Sequence, residues 1–309
     1  MTITQLLGIK YPIFQGAMAQ IARYELASAV SNAGGLGILA SGGMSPEELR
    51  EQIKKCKEQT TKPFAVNLML MMPNINEIID VVIEEGVKIV TTGAGTPRKF
   101  MPRLTEAGVK VIPVIPSVKA AKKMEELGCA AVVVEGMEAG GHVGTSTTMA
   151  LLPQVTKAVN IPVIAAGGIA DGRGVAAAFC LGARGVQMGT VFLATHECPI
   201  SIEYKNLIVE ADDTSTTLTG MKFGAPVRGI KNELTKKYHE LEAQSSTLME
   251  LEELTLGSLR KAVYDGDVEN GSVMSGQIAG LVDEIRSVEQ VIVDVLEEAK
   301  ATLANVKID

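Results

Sequence analysis

The sequence predicts an α/β fold, a (β/α)8 TIM barrel with an inserted, mostly helical lid subdomain after the eighth strand. Three observations predict it. Eight short β-branched runs recur along the first two-thirds of the chain, they are apolar along their whole length, and between each run and the next lies a polar-faced stretch long enough for a crossover helix. Uninterrupted apolarity fits parallel strands buried on both faces, and strict alternation with helices gives either an open doubly wound sheet or a closed barrel; eight units favour the barrel.

The units follow in order. "YPIFQGAMA" leads into "RYELASAVSNAG", "GLGILAS" into "SPEELREQIKKCKEQ", "FAVNLML" into "NINEIIDVVIEEG", and "KIVTTGA" into "PRKFMPRLTEAG". The second half repeats the rhythm: "KVIPVIP" with "SVKAAKKMEELG", "AAVVVEG" with "TTMALLPQVTKAV", "IPVIAAGG" with "DGRGVAAAFCLG", and finally "GVQMGTVFL". Several helical stretches end on a glycine suited to a left-handed cap. The rhythm then breaks, and 199–270 is read as the lid, with "DDTSTTLTG" and a long polar helical pattern. Residues 1–198 and 271–309 are read as the barrel, the last of them a long amphipathic helix that closes the barrel or serves a subunit contact.

Composition narrows the class. Of 309 residues 46% are hydrophobic, enough for a large core, and a formal charge of -7 without a basic stripe argues against nucleic acid as a partner. No run approaches a membrane span and the start has no signal-peptide pattern, so a cytoplasmic protein without membrane contact is expected. Cys56, Cys129, Cys180 and Cys198 lie far apart with no CxxC pair, so reduced, mostly buried thiols are expected and no structural metal site.

In such a barrel, ligand and catalytic groups sit at the C-terminal ends of the strands. These ends carry Gln15, Gly16, Ala17 and Met18; Ser41, Gly42 and Gly43; Asn67; Thr92, Gly93, Ala94 and Gly95; Glu135; Gly167 and Gly168; and Gln187, Gly189 and Thr190. Glycines and amides dominate, which suits close backbone approach to a planar or phosphorylated ligand. Gly167 and Gly168 followed by the helix start at Asp171 and Gly172, together with Gly189 and Thr190, occupy the two loops where barrels commonly bind phosphate. Each glycine singly would serve a tight turn as well; jointly they point to phosphate. There is no GxGxxG after the first strand and no Walker lysine, so a dinucleotide would be a substrate and not the resident ligand.

His142, in "EGMEAGGHVG", differs from His196 and His239, which sit in polar stretches. It follows the sixth strand on the catalytic face, and Gly140, Gly141 and Gly144 allow its loop to bend over a flat ligand. Position alone leaves an idle loop histidine about as plausible as a catalytic one.

Taken together, "YPIFQGAMA", "AGGLGIL", "KPFAVNLML", "IVTTGAG", "EGMEAGGHVG", "IPVIAAGGIADGRG", "VQMGTVF" and "GSVMSGQIAGLV" resemble the nitronate monooxygenase superfamily of FMN-containing barrels. "FGAPVRGIKNELT" is similar to its branch of flavin-dependent enoyl-acyl-carrier-protein reductases. The resemblance implies an FMN phosphate held by Gly167, Gly168, Gly189 and Thr190, and a flavin ring along Gly16, Ala17 and Met18 with Asn67 and Gln187 nearby. It also implies that Ser275, Gly276 and Gln277 approach the flavin and that His142 is catalytic. Met18 alone would fit core packing, and Asn67 a satisfied buried amide.

The reaction so implied is reduction of a trans-2-enoyl chain on acyl carrier protein by NADH or NADPH, in a homodimer; some relatives use a monovalent cation. Glu135 and Glu138 are candidates to orient His142, Met69, Met71 and Met72 to form an acyl slot, and Arg98, Lys99 and Arg103 to meet an acidic carrier. The same superfamily oxidises nitronates with oxygen, which is the alternative. A flavin-free phosphate-binding lyase or isomerase would need a strand-end carboxylate or lysine, and a passive binder would not need His142.

Overall fold

The apolar runs become the staves of a barrel in the computed structural model, which describes residues 1–244 and 247–307. The strands are β1 (Ile13–Gln15), β2 (Gly37–Ala40), β3 (Phe64–Met69), β4 (Ile89–Gly93), β5 (Lys110–Ile115), β6 (Val132–Glu135), β7 (Gly141–His142), β8 (Val163–Ala166), β9 (Gly185–Met188), β10 (Thr216–Thr219) and β11 (Val227–Ile230). Eight of them form one parallel sheet in the order β1-β9-β8-β6-β5-β4-β3-β2. The ring closes between its ends: Leu36 N–H donates to the Ile13 carbonyl at 2.8 Å and Gln15 N–H to the Leu36 carbonyl at 3.0 Å. Gln15, fully buried, adds a side-chain seam, accepting from Ile38 N–H at 3.0 Å and donating to its carbonyl at 3.3 Å. This strand-end amide therefore completes the wall and does not face a ligand.

Period-two alternation along the strands divides the core into two. Phe14, Ile38, Ala65, Ile112, Val133 and Ile164 fill the barrel, with Ile3 and Leu7 joining them from a short N-terminal helix, Ile3–Leu7. The second core lies between the staves and the surrounding helices. Helices close where the glycines suggested: Gly86, Gly108, Gly128 and Gly182 all have positive φ. The helix Val288–Asn305 packs on the helix Gly172–Cys180, close enough that a Cβ at Gly172 would lie 2.3 Å from Ala299 N.

Three elements differ from the sequence expectation. The apolar run "GVQMGTVFL" is strand only to Met188, opposite Gln15; beyond that β1 offers no further ladder partner, and Thr190–Leu193 coil into a helical turn. The segment 199–270 holds the helices Ile202–Val209, Glu233–Ala243 and Leu248–Thr255, but also the antiparallel pair β10–β11. The loop expected around His142 contains β7, which pairs antiparallel with β11, His142 opposite Val227 and Gly141 opposite Arg228. Among the described residues, no helix is long and apolar enough to cross a membrane.

Candidate active site

The strand ends open onto two connected spaces. A cleft of about 90 Å³ is lined by the ends of β1, β6, β8 and β9 and by Gly140, Gly276 and Ile278. A cavity of about 730 Å³ extends from it across β2 to β5, reaching Met69, Met71, Val114, Ile115, Pro116 and the segment 140–144. Ala17, Met18, Glu135, Gly140, Gln187, Gly189 and Thr190 border both.

The cleft is a backbone cradle. Gly167 and Gly168 have φ of 87° and 74°, and a Cβ on Gly167 would come within 2.9 Å of the Gly136 carbonyl and 3.2 Å of Ala139 N–H. Only glycine permits both the turn and the approach. Across the cleft, Thr190 Oγ1 accepts from Gly276 N–H at 2.9 Å, tying the end of β9 to the chain near residue 276. The helix Gly172–Cys180, expected to aim its positive end at a phosphate, has that end occupied: Asp171 accepts from Gly174 N–H at 3.0 Å and Glu298 from Gly172 N–H at 2.7 Å. The cradle therefore rests on loop backbone. Glu138 also lines it, but its carboxylate accepts from Thr148 N–H at 2.9 Å and Thr148 Oγ1 at 3.2 Å, at the start of the helix Thr148–Ala158. That positive helix terminus offsets its charge.

The large cavity is mostly apolar. Asn67, midway along β3, donates Nδ2 to Thr91 Oγ1 at 2.9 Å, which fixes its amide at the wall. Gln187 and Glu135 stand in one register row with Ala166 between them. Glu135 is sunk into the wall common to both spaces, and burial pushes its carboxyl up to about 7. It stands at a strand end, among the positions that the strand-end rule selected. His142 borders the same cavity and its side chain is exposed.

Eleven of the thirteen sequence-predicted site residues thus border one space or the other: Gly16, Ala17, Met18, Asn67, His142, Gly167, Gly168, Gln187, Gly189, Thr190 and Gly276. Ser275 and Gln277 line neither; Ser275 is buried beneath Gly276, and Gln277 is exposed, its N–H bound to the Glu138 carbonyl at 2.9 Å. Leu193, Leu259 and Met274 complete the apolar wall. No local pattern distinguishes them, because each arrives by long-range packing. Met69 and Met71 border the cavity while exposed at 40% and 77%, which places them at its mouth. Arg98 and Lys99 are exposed, whereas Arg103 is paired with Asp80. His196 and His239 are exposed, as their polar contexts suggested. Among the described residues no group of three or more His, Cys, Asp or Glu is arranged to hold a metal.

A TIM barrel whose strand-end glycines line a cleft opening into a mostly apolar cavity, bordered by a histidine and a half-buried acid, has the architecture of an enzyme. The chain belongs to the nitronate monooxygenase family, whose model matches residues 1–298. It is an oxidoreductase of that family. The solved structure of FabK from Thermotoga maritima superposes with a TM-score of 0.95 at 50% identity, covering 98% of this chain and 97% of that one. Nitroalkane oxidase from Streptomyces ansochromogenes superposes at 0.86 and 28% identity, covering 97% and 99%. A Mycobacterium tuberculosis relative, (3aS,4S,5R,7aS)-5-hydroxy-7a-methyl-1-oxo-octahydro-1H-indene-4-carboxyl-CoA dehydrogenase, is 35% identical over 96% of this chain and 95% of its own.

Proposed function

We propose that the protein reduces trans-2-enoyl chains carried on acyl carrier protein, the last reductive step of fatty-acid elongation, with FMN as resident cofactor and NADH as reductant. The observation that carries this reading is the likeness to FabK at 50% identity over nearly the whole chain. The residues present fit FMN: the glycines at 167 and 168 let backbone line the cleft without side chains, and the adjoining cavity is mostly apolar, bordered by Ala17 and Met18 and bearing amides at Asn67 and Gln187. Gly167, Gly168, Gly189, Thr190 and Gly276 would hold the phosphate.

When bound, FMN supplies hydride transfer from the nicotinamide to the thioester's β-carbon. The chain's own contribution is at the other end of the double bond. Negative charge develops on the thioester oxygen as hydride arrives, and His142 offers it a hydrogen bond and gives the α-carbon its proton. Glu135, its carboxyl pushed up by burial, borders both spaces. Met69, Met71, Val114 and Ile115 line the path for the acyl chain and exclude water. Arg98 and Lys99, both exposed, would meet an acidic carrier. We read 199–270 as the lid over this path, and the assembly as a homodimer.

Nitronate oxidation is the second reading, supported by the family match and the nitroalkane oxidase likeness; there His142 would remove a proton beside the flavin. A single experiment separates the two. The purified protein's visible spectrum is recorded, and NADH oxidation is followed anaerobically with and without crotonyl thioester, then nitronate consumption in air. A yellow protein that oxidises NADH only with the thioester meets the proposal. A yellow protein that consumes nitronate and ignores the thioester assigns the second reading, and a protein that cannot be loaded with FMN overturns both.

A further inference from the structure

His142 owes its place to a strand of two residues. β7 pairs with β11 through Gly141 and His142 alone, extended only by Val143 N–H donating to the Pro226 carbonyl at 3.1 Å. Such a short ladder fixes little by itself. A side chain braces it. Arg228, directly opposite Gly141, is 4% exposed, and its guanidinium runs back under the turn that precedes the histidine. Nε donates to the Met137 carbonyl at 3.2 Å and Nη1 to Thr216 Oγ1 on β10 at 3.2 Å, with the Glu138 carboxylate as the charge it faces.

Burying a guanidinium against two neutral acceptors costs solvation that those bonds recover poorly, so a methionine of similar volume would serve stability as well. What a methionine lacks is the ability to hold two elements in register through directed bonds. Met137 begins the turn that ends at His142, and Thr216 belongs to the far strand of the hairpin. The turn is also fixed on its other side, where Gln277 N–H donates to the Glu138 carbonyl at 2.9 Å.

We propose that Arg228 is a positioning residue for the reaction, setting the height of His142 over the cavity by fastening the 137–142 turn to the β10–β11 hairpin. This rests on the reading of His142 as the proton donor. The role predicts a particular split. Arg228→Met keeps FMN affinity and the rate at which NADH bleaches the bound flavin, while kcat for the enoyl thioester falls about 10- to 100-fold, since a shift near 1 Å at a reacting group costs that much. Arg228→Lys, which can still reach one acceptor, recovers part of the loss.

The experiment is a double-mutant cycle with His142→Ala, read as thioester kcat, flavin bleaching and the thermal midpoint of each variant. Acting through His142, Arg228→Met adds no further loss in the His142→Ala background. The same fold loss in both backgrounds, or wild-type kcat in Arg228→Met, overturns the proposal. A midpoint that drops with loss of flavin in both Arg228→Met and Arg228→Lys does so too, since the arginine is then a structural support. Unchanged kcat in His142→Ala alone removes the underlying reading of the histidine, a result distinct from failure of the arginine's role.

Discussion

Gly276 gives its backbone N–H to Thr190 Oγ1 at 2.9 Å, both groups buried, and so a hydroxyl at the end of β9 ties that wall of the cleft to the chain at residue 276. Thr190→Val removes the acceptor at nearly constant volume and leaves a buried N–H unsatisfied, a cost of about 1–3 kcal/mol. The expected result is a lower thermal midpoint and weaker FMN retention, measured by fluorescence titration, with Thr190→Ser close to wild type. Equal FMN affinity in the valine variant would show that the wall stands without the bond.

His142→Ala removes an exposed side chain whose backbone neighbours are unaffected, so fold and flavin binding should persist. Thioester turnover should fall about 100- to 10,000-fold, the usual share of a positioned acid or base. Stopped-flow bleaching of the flavin by NADH, which needs no proton donor at the thioester, should remain. Full turnover in the variant would make the histidine a bystander.

Glu135 gives stability a pH dependence. Burial raises its folded pKa to about 7, from an ordinary value near 4.5. Between these values the unfolded chain releases the proton while the folded protein keeps it, so stability falls as pH rises from about 4.5 to 7 and then levels off. Below that window both states are protonated and nothing is lost. Glu135→Gln should therefore melt higher than wild type at pH 8 and lose this advantage as pH falls toward 4.5. A pH-independent difference between the two melting curves would contradict the raised pKa.

The four cysteines divide by burial. Cys56 and Cys198 are pushed up to about 12 and Cys129 to about 11 by desolvation, whereas Cys180 is exposed. A thiol reagent such as DTNB should titrate a single cysteine per native chain and all four after denaturation. In Cys180→Ser the native signal should vanish; a remaining fast-reacting thiol would mean that one of the buried positions opens.

The barrel was legible because its signals are local. Apolar runs mark seven of the eight barrel strands closely, and glycines such as Gly108 and Gly128 close helices within a few residues of the pattern they terminate. The cleft was legible for the same reason, since Gly167, Gly168 and Gly189 follow their strands directly. β7 was not, because Gly-His becomes a strand only by meeting β11 some 85 positions later. The hairpin itself carries β-branched residues in "TTLT" and "VRGI", but each run is four residues long, shows no period-two alternation and lies amid helical patterns. Thr190–Leu193 were misread because an apolar stretch carries no mark of where its ladder partner stops. Ser275 and Gln277 flank the residue that does reach the cleft, a register that only the fold around Gly276 decides.

The thread from Gly16 to Gly276 that borders the cleft also sets an order of events in the making of the protein. A ribosome delivers the β1 end early and Gly276 more than two hundred and fifty residues later. Until that last wall emerges, the nascent barrel has staves but no complete cradle, and the flavin proposed for it has nowhere to settle. Cofactor capture is then a late event, and the unliganded barrel is the species that must survive the wait, its contacts long in sequence and slow to assemble.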